Sequence, residues 1–424
     1  MVNKRIELLP GVFLTCVRSE KFKTGCLSVS LLRPLRREEA SANALLSTVL
    51  LRGCRDYPNI RSISAFLDRL YGASIGTLVR KKGEVQTTGF YADFLEDRLA
   101  LDGEPVLEPM AGFLCALLLD PVLEDGVFAA RYVEGEKRNL IHAIESRIDD
   151  KRSYAVTQLF RGMCGGEAYG VPRLGDKEDV ERLDAASLYA HYRDILATSQ
   201  IEIFYHGSAS SQSVARMFRR GLDMLPRRET VPFGSRVVKR AKEVRELGES
   251  LDVTQGKLAM GFRLGCTAAD PEYPAALLMN AVYGAGVTSK LFTNVREKLS
   301  LCYYASSSIE KFKGLMVVGS GIDFDRFEEA KGEILRQLAL TAQGEITGEE
   351  LENARTHLIS SLRAGMDSPG RMDDYSLGQV LLGAPGGTMA DLADELRGVT
   401  AKQVAAAAKR VSLDTVYFLE GVKE

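Results

Sequence analysis

The chain has 424 residues, with 55 Lys and Arg against 57 Asp and Glu, and 45% apolar side chains. A net charge of −2, built from interspersed pairs of both signs, excludes the basic footprint of a nucleic-acid or anionic-membrane binder. The length allows roughly two to four domains with sizeable cores, and no uncharged apolar run reaches the about 18 residues that a membrane span needs.

The first half opens on a strand, "CLSVSLLR", Cys26–Arg33. Next comes "SANALLSTVLLRG", Ser41–Gly53, where Ala42, Leu45, Leu46, Val49 and Leu50 fall at i, i+3, i+4, i+7 and i+8. That is the apolar stripe of an amphipathic helix. Arg52 places a cation near its end, and Gly53 is expected to close it in a left-handed conformation. The other face is odd. It offers Ala44, Ser47 and Thr48, small and uncharged, where a solvated helix carries Lys, Glu or Arg. A second helix, "ISAFLDRLYGAS", leads into strands in "IGTLVRKKGEVQTTGFYA". Helices follow in "MAGFLCALLLD" and "VFAARYVEGEKRNLIHAIESRIDDKRSYAVTQLF", then a Gly/Pro loop "YGVPRLG", a helix "AASLYAHYRDIL", and a strand "SQIEIFYHG" ending at Gly207.

The second half repeats this order. A strand "GKLAMGFRLG" precedes the helices "PAALLMNAVYGAG" and "SKLFTNVREKL", which run into strands in "SLCYYASSSIEKFKGLMVVGSG". Helices "FEEAKGEILRQLAL" and "GEELENARTHLISSLRAG", a Gly/Pro loop "LLGAPGG", a helix "TAKQVAAAAKRV" and a strand "LDTVYFLEG" complete it. Self-similarity on this scale predicts two tandem α+β lobes. The expected boundaries are residues 1–225, a charged linker 226–249, and residues 250–424.

Candidate chemistry is sparse. A zinc site needs three or four N, S or O ligands at fixed spacing, and the chain has four histidines, His142, His191, His206 and His357, none close in sequence to another. His142 with Glu145 is the best local pair, and exposed helix residues account for it equally well. No G-x-S-x-G elbow occurs. The loop "YGAGVTSK" reads as the lead-in to a helix capped by Thr288 or Ser289 rather than as a nucleotide site. Seven cysteines without a C-x-x-C pair read as buried thiols of a reducing compartment. The N-terminal "MVNKRIELLPG" lacks a signal-peptide core, so a cytoplasmic location is expected. In "VREKLSLCYY", Arg296 stands on a helix and Tyr303 seven residues later, expected on the next strand. A guanidinium fork and a phenol can hold a peptide carbonyl or an oxyanion; a surface ion pair and a half-buried phenol are the plainer alternative.

Together these stretches resemble the pitrilysin/insulinase family of zinc peptidases, in its short bacterial and mitochondrial-processing type. The resemblance covers almost the whole chain. "ALLSTVLLRG" is similar to the helix that in active members reads H-x-x-E-H before an apolar stretch and a glycine. "LDRLYGASIGTLV" and "YGVPRLGDKEDVERL" match the segments after it. "LLMNAVYGAGVTSKLFTNVREKLSLCYY" is similar to the segment carrying the family's Arg and Tyr. The resemblance implies a pitrilysin-like α+β fold in both lobes, each a mostly antiparallel sheet packed with helices on one side. It places the two metal-binding histidines on Ala44 and Thr48, the water-activating glutamate on Ser47, and the third ligand on Ile144, with Glu145 next. It thus implies a catalytic face emptied of its chemistry, no metal in this chain, and Arg296 and Tyr303 retained toward a peptide substrate. Zinc is then expected in a partner, a metal-bearing subunit of the same family. The alternatives are a scaffold or peptide-binding protein on the same fold, and an active peptidase using non-standard ligands such as His142 and Glu145. Without a partner, a symmetric homodimer is open to the isolated chain.

Overall fold

The computed structural model describes residues 3–384 and 387–422, so Pro385 and Gly386 of the expected Gly/Pro loop lie outside the described residues. The chain forms two compact units. The first contains a six-stranded sheet in the order Asn3–Leu9, Val12–Arg18, Gln200–Gly207, Thr24–Pro34, Val85–Leu95, Ser74–Lys82. All neighbours are antiparallel except Val12–Arg18 with Gln200–Gly207. Alternation along Thr24–Pro34 sends Leu27, Val29 and Leu31 into the main core, which the helices Arg37–Leu50 and Leu107–Leu119 cover.

The second unit holds a five-stranded sheet in the order Tyr304–Glu310, Leu315–Ile322, Gly256–Arg263, Ser412–Gly421, Arg245–Leu251. Only its last pair is parallel. Leu258, Met260 and Phe262 face a core closed by Tyr273–Tyr283 and the helices of the C-terminal half. Both sheets are thus mostly antiparallel, each with its main helical layer on one face.

Each sheet also carries one helix on its other face, and that helix comes from the opposite half of the sequence. Pro369–Leu381 belongs to the first unit, where Met372 packs beside Val17, Cys26 and Phe204, and Leu377 beside Leu32 and Val85. Its Asp373 accepts hydrogen bonds from Ser28 Oγ at 2.7 Å and Arg80 Nη1 at 2.9 Å. Reciprocally, Lys151–Met163 belongs to the second unit, with Ala155 and Leu159 against Ala259, Val317, Tyr417 and Leu419. The units are therefore Met1–Glu145, Val171–Gly234 and Ser368–Gly386 against Ser146–Gly170, Ser235–Asp367 and Gly387–Glu424. A linear division into 1–225 and 250–424 does not contain this exchange.

The stretch expected as a linker differs too. Residues to Gly234 stay with the first unit, where Arg227 donates to the carbonyls of Pro10, Leu196 and Ser199. Arg245–Leu251, "RELGESL", is an edge strand. Arg245 turns inward to Asp414, Glu249 accepts from the Tyr154 and Tyr417 hydroxyls, and Glu246 is exposed, so the strand shows no apolar alternation.

Candidate functional site

The helix expected around residues 41–53 spans Arg37–Leu50 and starts with Glu38 and Glu39 in its first turn, which suits the helix dipole. It ends at Leu50, and Arg52 lies beyond it, paired with Glu136 on the helix Ala130–Glu145. Gly53 is not left-handed; a Cβ there would come within 2.6 Å of the Pro58 backbone, so close approach requires the glycine.

The face with the implied metal positions is packed. Ala44 is 2% and Ser47 1% exposed. Ala44 sits in the core cluster beside Leu45 and Leu46, and Ile144 packs half-buried against the same cluster. Thr48 Oγ1 donates back to the Leu45 carbonyl at 2.8 Å, and the buried Ser47 Oγ has no partner among the described residues. An orphaned hydroxyl costs about 1–3 kcal/mol. These residues do not fit a zinc ion: Ala44 and Ile144 have no donor atoms, and neutral hydroxyls are poor ligands and poor bases near neutral pH. His142 and Glu145 both face solvent, and Glu145 pairs with Lys177. Among the described residues no three His, Cys, Asp or Glu side chains are placed to hold a metal ion.

We predict that the isolated chain retains no stoichiometric zinc after dialysis and cleaves no unstructured peptide. One tightly held zinc per chain with chelator-sensitive hydrolysis sinks this. Rebuilding the motif as Ala44→His, Ser47→Glu, Thr48→His and Ile144→Glu meets the packed face, where overfilling costs about 1–3 kcal/mol per site.

In the second unit the segment expected as an ordinary helix is a π-helix, Leu291–Lys298. Its i→i+5 bonding is rare and widens the turn. Leu291 and Val295 are buried, whereas Leu299 is 46% exposed. Before it, Gly284 is required by close approach, since a Cβ would lie 2.4 Å from Ser307 Oγ. After it, Ser300 takes a left-handed φ of 49° and reverses the chain. Tyr303 therefore precedes the strand Tyr304–Glu310 instead of lying in it.

The reversal brings Arg296 to Tyr303. Arg296 Nε donates to the Tyr303 carbonyl at 3.0 Å, its guanidinium lies 4.7 Å from the Phe292 ring centre, and Nη1 is 3.2 Å from Glu297. Tyr303 is 61% exposed, its N–H donates to Gly321 O at 2.8 Å, and its hydroxyl donates to Asp323 Oδ1 at 3.2 Å. Asp323 is absent from the sequence reading. It follows the strand Leu315–Ile322 as one more exposed acid, and no spacing ties it to Tyr303.

The remaining histidines of the first unit are structural. His191 Nε2 meets Asn43 Oδ1 at 2.8 Å, and His206 is fully buried, edge-on to Phe22 at 4.9 Å, with no partner for either ring nitrogen among the described residues. Burial holds both below the ordinary value of 6.5. Below pH 6.5 the unfolded chain takes up protons that the folded chain resists, so stability falls as pH falls through this window. His206→Leu is expected to flatten that slope by up to about 1.4 kcal/mol per pH unit. Urea midpoints of both proteins across pH 7 to about 5 check it; parallel slopes refute it. All seven cysteines are buried, which pushes Cys115 and Cys164 up to about 12 and Cys266 to about 11, far from thiolate chemistry.

Two α+β units, one with a helix carrying Ala44, Ser47 and Thr48 at the implied motif positions, define a metallopeptidase homologue without the H-x-x-E-H motif. The Peptidase M16 inactive domain family matches residues 182–358. A Bacillus subtilis protein described as "Probable inactive metalloprotease YmfF" is 32% identical over 425 residues, covering 100% of this chain and 99% of its own. A crystal structure of a conserved protein from Enterococcus faecalis aligns with a TM-score of 0.92 at 30% identity, covering 100% of both chains. A peptidase M16 inactive domain from Pseudomonas fluorescens shares the fold, with a TM-score of 0.81 at 17% identity, covering 99% of this chain and 98% of that one. The chain belongs to the peptidase M16 family, the pitrilysin/insulinase family of the sequence reading, as a member without the H-x-x-E-H motif. No helix among the described residues is long and apolar enough to cross a membrane.

Proposed function

We propose that the chain is the catalytically silent subunit of a two-subunit zinc peptidase. It helps form a peptide-binding chamber and supplies Arg296 and Tyr303 to the peptide, while a partner of the same family holds the zinc and this chain holds none. The contrast between the halves supports this. The helix Arg37–Leu50 offers no ligand or base, yet the Arg296–Tyr303 segment is ordered by specific hydrogen bonds with the phenol ring in solvent. A scaffold would need neither. The buried thiols suit a reducing compartment, and we place the protein in the cytoplasm.

Purification of a tagged chain from its native cells tests the reading. The expected result is a stoichiometric partner with an intact H-x-x-E-H helix. Recovery of the chain only as a homodimer, or only with proteins outside the family, overturns it in favour of a scaffold.

A further inference from the structure

We infer that the second face of each sheet is a docking surface for its helix in trans, and that two copies of this chain exchange halves through residues 235–244 to close a swapped dimer.

Each half of the sequence holds one main sheet and the helix that covers the other. The segment with Lys151–Met163 leaves the first unit and returns to it within the first half, and the segment with Pro369–Leu381 leaves and returns within the second. The connection between the halves is the stretch after Gly234. A first half from one copy and a second half from another therefore rebuild both units with their internal contacts kept, and only that connection is re-routed. Residues 237–244 form neither helix nor strand, and no turn or loop hydrogen bond holds their backbone among the described residues. Re-routing them gives up no such bond, and an exchange that restores the same contacts between chains is a low-cost route to a dimer.

The contacts that travel with the helices are specific. Pro369–Leu381 brings Met372 and Leu377 to apolar residues of the first sheet, and Asp373 and Asp374 to Arg80 and Lys82. In return, the first half brings Leu159 to Tyr417 and Leu419, and Glu167 to Arg263 and Lys313. Acids and bases are thus divided between the halves, so the occupant that fits each face is the matching half of this same chain. In dilute solution a half meets its own sibling first, because the connection holds the two at high effective concentration. Refolding at high protein concentration favours the exchange.

The test uses the full-length native chain. Unlabelled and isotopically heavy copies are unfolded together in urea, refolded at high concentration and separated by size. Dimers that pair a light with a heavy chain are cut by trypsin at Lys239, Arg240 or Lys242 and weighed by native mass spectrometry. The expected products are a light first half with a heavy second half, and the converse. Light and heavy monomers that are cut first and mixed afterwards set the background of exchange. Dimers whose cut products are all light or all heavy overturn the inference, as does refolding to monomer alone at every concentration. Leu159→Asp and Leu377→Asp give a second reading that needs no cut, since each spoils one helix. Refolded together, they are expected to give a mixed dimer in which one set of halves is native. Its melting temperature returns toward that of the native chain, a shift that neither variant shows alone. Absence of that species under conditions where the native chain refolds overturns the inference.

Discussion

Replacing Asp414 with alanine is expected to destabilise the second unit by about 3–5 kcal/mol. Asp414 is 3% exposed and sits in a buried charge cluster. Its Oδ2 accepts from Arg263 Nε at 2.7 Å, and its Oδ1 accepts from Arg245 Nη2 at 3.2 Å and Thr415 Oγ1 at 2.7 Å. Arg263 Nη2 continues to Glu167 Oε1 at 2.8 Å, and Lys313 Nζ reaches Glu167 Oε2 at 2.7 Å. Both arginines also donate to the Met163 carbonyl, the last residue of the helix Lys151–Met163. Removing Asp414 leaves the buried Arg263 and Lys313, with the partly exposed Arg245, around the single carboxylate of Glu167. Desolvation then goes uncompensated, which is why breaking a buried pair costs more than the pair contributes.

Hydrogen exchange of the strands Gly256–Arg263 and Ser412–Gly421, with urea unfolding, measures the loss. A change below about 1 kcal/mol, the worth of a surface pair, refutes it. Glu329→Ala, which breaks the exposed Arg326–Glu329 pair, serves as the unaffected control. The cluster also carries a pH signature. Burial opposes the Glu167 charge, but Arg263 and Lys313 hold its carboxyl below the ordinary 4.5. Its contribution is complete above that value and is lost as pH falls through the lower folded one.

The double substitution Arg296→Ala with Tyr303→Phe is expected to lower kcat/KM of the reconstituted two-subunit enzyme while leaving assembly intact. A charged and a neutral hydrogen bond together are worth about 2–4 kcal/mol, or about 30- to 900-fold in kcat/KM. Where the loss appears separates two mechanisms. A grip on the substrate backbone raises KM, whereas a pair aimed at a developing oxyanion lowers kcat. Unchanged turnover in a correctly assembled double mutant returns both residues to a structural role.

Much of this architecture was legible in sequence. The strand expected at Cys26–Arg33 lies within Thr24–Pro34, and the i, i+3, i+4 stripe of Ser41–Gly53 marks most of Arg37–Leu50. Ala44, Ser47 and Thr48 stood out because an absence of charge is conspicuous on a helix. What stayed hidden shares one cause. Periodicity reports that a face is buried and says nothing of which sheet buries it. Thus Leu159 and Leu377 could not be assigned to the sheets they cover, and the Ser28–Asp373 contact spans 345 residues. The π-helix escaped for a related reason, since Leu291 and Val295 at i, i+4 satisfy an ordinary helix as well. The edge strand Arg245–Leu251 stayed hidden because its charged residues break the apolar pattern, and its place in the sheet is set by backbone pairing.

The exchanged helices bind the two halves of the gene to one fate. Lys239, Arg240 and Lys242 stand exposed between the halves, an open invitation to a trypsin-like protease. A cut there would part the covalent thread and free neither piece, because each polypeptide keeps the helix that roofs its sibling's sheet. A change in Pro369–Leu381 is felt by the sheet encoded at the other end of the gene, so neither half of the sequence is free to vary in its packing without the other.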